Sequence, residues 1–89
     1  MYRKLDVIEG YRCAIYDMGP GSKYIDRYSV CLVDYPENGG CVSCLAMDET
    51  GTGFSQFCAA VRGQHLGRRV RFSDLSEGTR KHIISRLKD

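Results

Sequence analysis

The sequence contains no tryptophan, only 2 prolines among its 89 residues, and no apolar stretch near the ~20 residues that a membrane-spanning helix requires. The N-terminal residues 1–10 carry Arg3, Lys4, Asp6 and Glu9, so they lack the apolar core of a secretory signal. Hydrophobic residues account for 43% and charged residues for 27%, which is too apolar for a disordered chain. We therefore expect a cytoplasmic protein with no membrane association. It forms one domain over residues 1–89, in which residues 1–10 are an N-terminal extension.

The motifs of common nucleotide-binding and hydrolytic enzymes are also missing. The sequence has no phosphate loop, dinucleotide fingerprint, nucleophile elbow or zinc-protease helix. The segment Gly51-Thr52-Gly53 has the glycines of a phosphate cradle, but not the Gly-Lys-Ser/Thr that normally follows. Cys58 and His65 would form a nucleophile–base pair if the chain turned between them, but the sequence shows no third group to orient that pair. We predict no catalytic residue, no cofactor and no enzyme activity.

The 5 cysteines are an odd number in a chain that we place in a reducing compartment, so a complete disulfide framework is not expected. Cys41 and Cys44 have the Cys-x-x-Cys spacing of zinc sites and redox pairs, and are the candidate metal ligands. A zinc ion would need two more ligands, for example Cys58 with Cys13 or His65. The segment around Cys41 reads as a strand, however, in which residues three apart point to opposite faces. The favoured interpretation is that the thiols act as small hydrophobic groups in a sheet.

Alternating apolar residues predict three consecutive strands. They cover residues 11–16, 25–35 and 41–47, and turn-forming segments rich in Gly and Pro at residues 17–23 and 36–40 separate them. Short connections between neighbouring strands favour an antiparallel meander. A brief extended run is predicted at residues 69–72.

Two segments have the periodicity of a helix. Phe54, Phe57, Cys58 and Val61 follow the i, i+3, i+4, i+7 spacing of a short amphipathic helix. A longer C-terminal helix is predicted to start after Ser76 as N-cap, with an apolar stripe of Ile83, Ile84 and Leu87. The predicted fold class is α+β: a small antiparallel sheet of three to four strands, covered by the C-terminal helix and accompanied by one further short helix.

Charge is divided unevenly along the chain. Residues 1–61 hold 5 basic and 8 acidic residues, whereas residues 62–89 hold 8 basic and 3 acidic residues. The densest basic cluster contains Arg62, His65, Arg68, Arg69 and Arg71. Guanidinium groups at this density can bind phosphates or the carboxylates of an acidic protein. A strand and loop that are simply exposed to solvent would have the same sequence pattern.

The candidate partner-binding surface combines this basic cluster with the adjacent loop that contains Asp48 and Glu49. A small sheet also leaves its edge strands open, so a homodimer that pairs two edges is a further expectation. Two alternatives stay open: a nucleic-acid-binding module that uses residues 62–71, and a small protein that binds a nucleotide or another small ligand at Gly51–Gly53.

Four sequence blocks in order resemble a family of small proteins of bacteriophages, prophages and integrating elements that has no assigned activity. The blocks are Asp26-Arg-Tyr-Ser-Val30, Leu45-Ala-Met47, Gly53-Phe-Ser-Gln56 and Leu66-Gly-Arg-Arg-Val-Arg-Phe-Ser-Asp-Leu75. Ala46 stands where the family has Gly, Ser76 replaces a Pro, and residues 48–52 replace a Pro-containing loop. The resemblance implies a non-enzymatic accessory protein in the cytoplasm of a host cell. Such a protein would bind and inhibit or modulate a host protein or protein complex, for example a defence system, in the manner of an anti-CRISPR protein.

Overall fold

The computed structural model describes residues 4–20, 27–48 and 55–88, which form an antiparallel sheet and one α-helix. The predicted α+β class is confirmed, but the sheet has 6 strands within these residues instead of three to four. The strands and the helix are β1 Asp6–Ile8, β2 Tyr11–Asp17, β3 Tyr28–Pro36, β4 Val42–Met47, β5 Ser55–Ala60, β6 Arg68–Val70 and α1 Glu77–Lys88. Short 3-10 turns lie at Asn38–Gly40, Gln64–Leu66 and Phe72–Asp74.

The strand order is β1-β2-β3-β4-β5, and every neighbouring pair is antiparallel. Strand β6 pairs with the second half of β2, where Ile15 lies opposite Val70, while β1 pairs with the first half. Among the described strands, β1 and β6 therefore share one edge of the sheet, and β5 forms the other edge. Residues 61–67, which we call the crossing segment, must pass over one face of the sheet to connect β5 with β6.

The two faces of the sheet have different covers. On the first face, α1 packs through Ile83 and Leu87, and Leu75 joins the same core just before the helix. The strands contribute the following buried residues to this core: Ile8, Cys13, Ile15, Tyr28, Val30, Leu32, Leu45, Met47 and Val70. Because side chains alternate along a strand, the intervening residues form a second, smaller cluster on the other face, made of Ala14, Tyr16, Cys31 and Cys44. Leu5 and Leu66 pack against this second cluster, so the N-terminal residues and the crossing segment cover it.

The helix predicted for residues 54–61 is wrong, because Ser55–Ala60 is strand β5. Phe57 pairs with Leu45 and Cys58 pairs with Cys44, so these two adjacent residues lie on opposite faces. The helical spacing of a few apolar residues is too short to distinguish the two structures, and pairing with β4 satisfies the backbone in the extended form. The structure also adds a strand inside the supposed N-terminal extension, since β1 occupies Asp6–Ile8.

The start of the C-terminal helix agrees with the sequence prediction. The backbone N–H of Thr79 donates to the Ser76 hydroxyl at 3.3 Å, as expected of an N-cap. On α1, His82 is half-buried and lies 3.0 Å from the hydroxyl of Ser55 on β5. This hydrogen bond links the helix to the edge strand. None of the helices in the described ranges has the length and apolar character that crossing a membrane would require.

Candidate interaction surface

The basic cluster predicted from the sequence is divided by the sheet. Arg68 and Arg69 are consecutive residues of β6, so their side chains leave the strand on opposite faces. Arg69 lies opposite Tyr16, on the side of the crossing segment, whereas Arg68 lies opposite Asp17 on the side of the helix. Arg62 and His65 belong to the crossing segment and are exposed.

Arg69 is held by the fold rather than presented to solvent. Its guanidinium carbon lies 5.6 Å from the centre of the Tyr16 ring, and Nη2 donates to the backbone carbonyl of Lys4 at 3.0 Å. The first contact is a cation–π interaction, and the second attaches the N-terminal segment to β6. Arg69 therefore stabilises the fold, a role that its position in a basic stretch of sequence does not reveal.

Arg71 is exposed but also has acidic neighbours. Its Nε lies 3.7 Å from Oδ1 of Asp6, and its backbone N–H donates to Asp74 at 3.0 Å. Asp6 in turn accepts the backbone N–H of Phe72 at 3.0 Å, which fixes the chain at the end of β6. The predicted basic cluster therefore separates into two exposed groups. Arg62 and His65 lie on the crossing segment, and Arg68 and Arg71 lie near the helix side of the sheet.

A cleft of about 260 Å³ lies on that helix side, beside Arg68. Asp17 lines this cleft; it is 8% exposed and accepts from Arg27 Nε at 2.8 Å and from the backbone N–H of Gly19 at 2.7 Å. Burial raises the pKa of Asp17, but the hydrogen bonds from Arg27 and Gly19, with the charges of Arg27 and Arg68, outweigh burial and lower it overall. The sequence places residue 17 in a predicted turn and does not reveal this ion pair, because its two residues lie in different segments of the chain.

The loop half of the predicted surface is only partly described. Asp48 follows the end of β4 and is half-buried. Glu49 and the segment Gly51–Gly53, the candidate phosphate cradle, lie outside the described residues.

The outer edge of β5 is a feature that the sequence does not locate, because its helical spacing of apolar residues hides the strand. Residues 56–59 of this strand are exposed, and no strand within the described ranges pairs with its outer side. The strand reads Ser-Gln-Phe-Cys-Ala-Ala, so it contains no charged residue and no proline. Natural proteins usually protect an edge strand with such residues, because the free backbone groups of an edge invite another strand. Phe57 is 44% exposed and Val61, just beyond the strand, is 49% exposed.

The cysteines proposed as metal ligands are separated by the fold. Cys44 is buried in β4, where its sulfur lies 3.6 Å from that of Cys31, and Cys41 precedes the strand in a half-buried position. Within residues 4–20, 27–48 and 55–88, no group of three or more His, Cys, Asp or Glu side chains is placed to hold a metal ion.

Comparisons with known protein families, with curated proteins and with solved structures found no match to this chain.

Proposed function

We propose that this protein is a non-enzymatic accessory protein of a phage or mobile element that binds a host protein and blocks or modulates it. The observation that carries the proposal is the outer edge of β5, with which no other described strand pairs and which has neither charge nor proline to prevent strand addition. A partner that contributes an extended segment would add a strand to this edge, with main-chain hydrogen bonds providing affinity and side-chain contacts providing specificity.

The charge next to β5 indicates the kind of segment that would bind. Arg62 lies two residues after the end of β5, and His65 lies further along the crossing segment. Both are exposed, and no acidic residue occurs between Ser55 and Arg71. An acidic segment would therefore find its backbone partners on β5 and its charge partners on the crossing segment. Complementary charge of this kind mainly raises the association rate and selects among partners.

The role as an inhibitor of a host system rests on the resemblance to phage and integrating-element proteins. Occupying a strand-binding segment of a host protein would prevent that segment from reaching its normal partner, without any chemical reaction. This mode of action requires only a stable surface, which agrees with the lack of a recognised catalytic motif in the sequence.

The proposal is tested by affinity capture from a bacterial lysate with the immobilised protein and a variant whose edge is blocked. Gln56→Lys with Ala59→Lys places one charge on each face of β5 at exposed positions. We expect a protein that is captured by the wild type to be lost from this variant, because edge lysines oppose strand pairing.

The matched control is Val7→Lys on β1, an exposed apolar residue (70% exposed) on the opposite edge of the sheet. This variant should retain capture. Equal capture by the wild type and the β5 variant would contradict the proposed surface, as would the absence of any specifically captured protein.

The alternative function for the same surface is nucleic-acid binding through residues 62–71. The opposite orientations of Arg68 and Arg69 make a single track of phosphate contacts harder to form. A gel shift with duplex DNA and single-stranded RNA at ~50 mM salt distinguishes nucleic-acid binding from protein binding, since binding that depends on phosphate contacts is strongest at low salt. A complex that weakens steeply with added salt and in Arg62→Glu would favour this alternative over a protein partner.

A further inference from the structure

Three of the cysteines stand side by side across neighbouring strands. Cys31 on β3 is paired in register with Cys44 on β4, and Cys44 is paired in register with Cys58 on β5. Directly opposite residues of antiparallel strands project to the same face, so the three thiols form one row, which we call the cysteine row. The row begins at the exposed Cys58 and leads inward to Cys44 and Cys31, which are 1% and 0% exposed.

The spacing within the cysteine row suits disulfide formation. Directly opposite residues in an antiparallel pair have Cα atoms about 4.5–5.5 Å apart, within the range of about 4.4–6.8 Å seen in disulfides. The sulfurs of Cys31 and Cys44 are already 3.6 Å apart, and a change in side-chain rotamer would bring them to the bonding distance of about 2.05 Å. Because Cys44 has a neighbour on each side, it can join either one, but only one at a time.

The surroundings of the row shift the pKa values of its two inner thiols in opposite directions. The hydrogen bond with Cys44 lowers the pKa of Cys31 despite its burial, and the positive charges of Arg62 and Arg69 act in the same direction. The same hydrogen bond, together with burial, raises the pKa of Cys44. Cys13 lies on the opposite face of the sheet, where burial raises its pKa to about 12. Within the part of the chain that the structure describes, the cysteine row thus combines neighbouring thiols with nearby arginines.

We propose that the cysteine row is a thiol–disulfide exchange site that accepts a low-molecular-weight disulfide at Cys58 and passes the oxidation inward to a Cys31–Cys44 disulfide. The proposal does not depend on the proposed function, since it requires no partner protein.

The exchange proceeds in three balanced steps. The thiolate of Cys58 attacks a small disulfide, forms a mixed disulfide and releases one thiolate of the reagent. Cys44, once deprotonated, attacks the sulfur of Cys58, so that a Cys44–Cys58 bond forms and the second reagent thiolate leaves. Cys31 then attacks Cys44, and Cys58 departs as a thiolate. In total, two protein thiols lose two electrons and two protons, one small disulfide is reduced to two thiols, and Cys58 is restored.

The test uses the reduced full-length protein and glutathione disulfide. We expect the intact mass to fall by the two hydrogens of one disulfide, and the thiols titrated in denaturant to fall from the 5 of the reduced chain to three. Trypsin has no cleavage site between Arg27 and Arg62, so the linkage must be mapped with a protease that cuts after Asp and Glu. Cleavage at Asp34, Glu37 and Asp48 places Cys31 and Cys44 in separate peptides, and we expect these two peptides to be linked.

Four variants identify the route. Cys58→Ser should slow formation of the Cys31–Cys44 disulfide about tenfold or more, because the buried thiols lose their exposed neighbour. Cys31→Ala should stop the reaction at a Cys44–Cys58 disulfide. Cys41→Ser and Cys13→Ser are the controls and should oxidise like the wild type; the first also shows which cysteine of the shared peptide is linked.

Three results would overturn the proposal. The first is a mixed disulfide that remains on Cys58 without transfer. The second is a disulfide that includes Cys13 or Cys41. The third is a Cys58→Ser protein that oxidises at the wild-type rate. If the proposed function failed instead, these measurements would be unaffected, because they are made on the isolated protein.

Discussion

At the scale of single residues, Gly67 shows how closely the crossing segment approaches β2. Its φ of +107° lies in the region that favours glycine, and a Cβ at this position would collide with the backbone carbonyl of Asp17. We predict that Gly67→Ala lowers the free energy of unfolding by more than the ~1–3 kcal/mol of backbone strain alone, measured by urea denaturation. Gly10→Ala is the control. Gly10 also has a positive φ, of +85°, but no atom lies within 4 Å of a Cβ at this position, so this substitution adds only backbone strain. Equal losses in the two variants would contradict the close contact.

At the scale of the elements, α1 depends on its first turn as well as on its apolar stripe. The hydroxyl of Ser76 accepts the backbone N–H of Thr79 and lies 2.9 Å from the Thr79 hydroxyl, which is itself almost fully buried. Removing an N-cap hydroxyl costs about 1 kcal/mol, so Ser76→Ala should lower the free energy of unfolding by this amount. Ser85→Ala changes an exposed serine within the same helix and should be neutral or slightly stabilising, since alanine favours helix. A thermal melt in which both variants behave alike would show that the cap is unimportant.

At the scale of the whole molecule, the Asp17–Arg27 ion pair makes stability depend on pH. The folded pKa of Asp17 is lowered because the hydrogen bonds and charges around it outweigh its burial, whereas the unfolded carboxyl has a pKa of about 3.9. The ion pair therefore contributes its full stabilisation above pH ~4, and this stabilisation is lost as the pH falls through the lower pKa that Asp17 has in the folded protein. We predict that Asp17→Asn loses stability at pH 7 and shows a weaker acid dependence than wild type in urea titrations. Asp34→Asn, which removes an exposed partner of Arg12, should change much less. Equal acid sensitivity in wild type and Asp17→Asn would contradict this assignment.

The sequence determined the central strands β2, β3 and β4 and the C-terminal helix. Alternation of apolar residues indicates which side chains share a face, as for Tyr28, Val30 and Leu32, and a serine before a charged turn marks the helix start. These signals depend on residues close together in the sequence, so they can be recognised without knowledge of the fold. β1 and β5 lacked them: β1 is only 3 residues long, and the apolar residues of β5 fit a helical period equally well.

Only the tertiary structure decided how distant segments combine. Pairing register is a property of two strands at once, so the sequence could not place Cys31, Cys44 and Cys58 in one row, even though each cysteine was visible. The same holds for Arg69, which reads as one charge in a basic run but stacks on Tyr16 because β6 pairs with β2. Local patterns determine which face a side chain takes, while long-range pairing determines what it meets there.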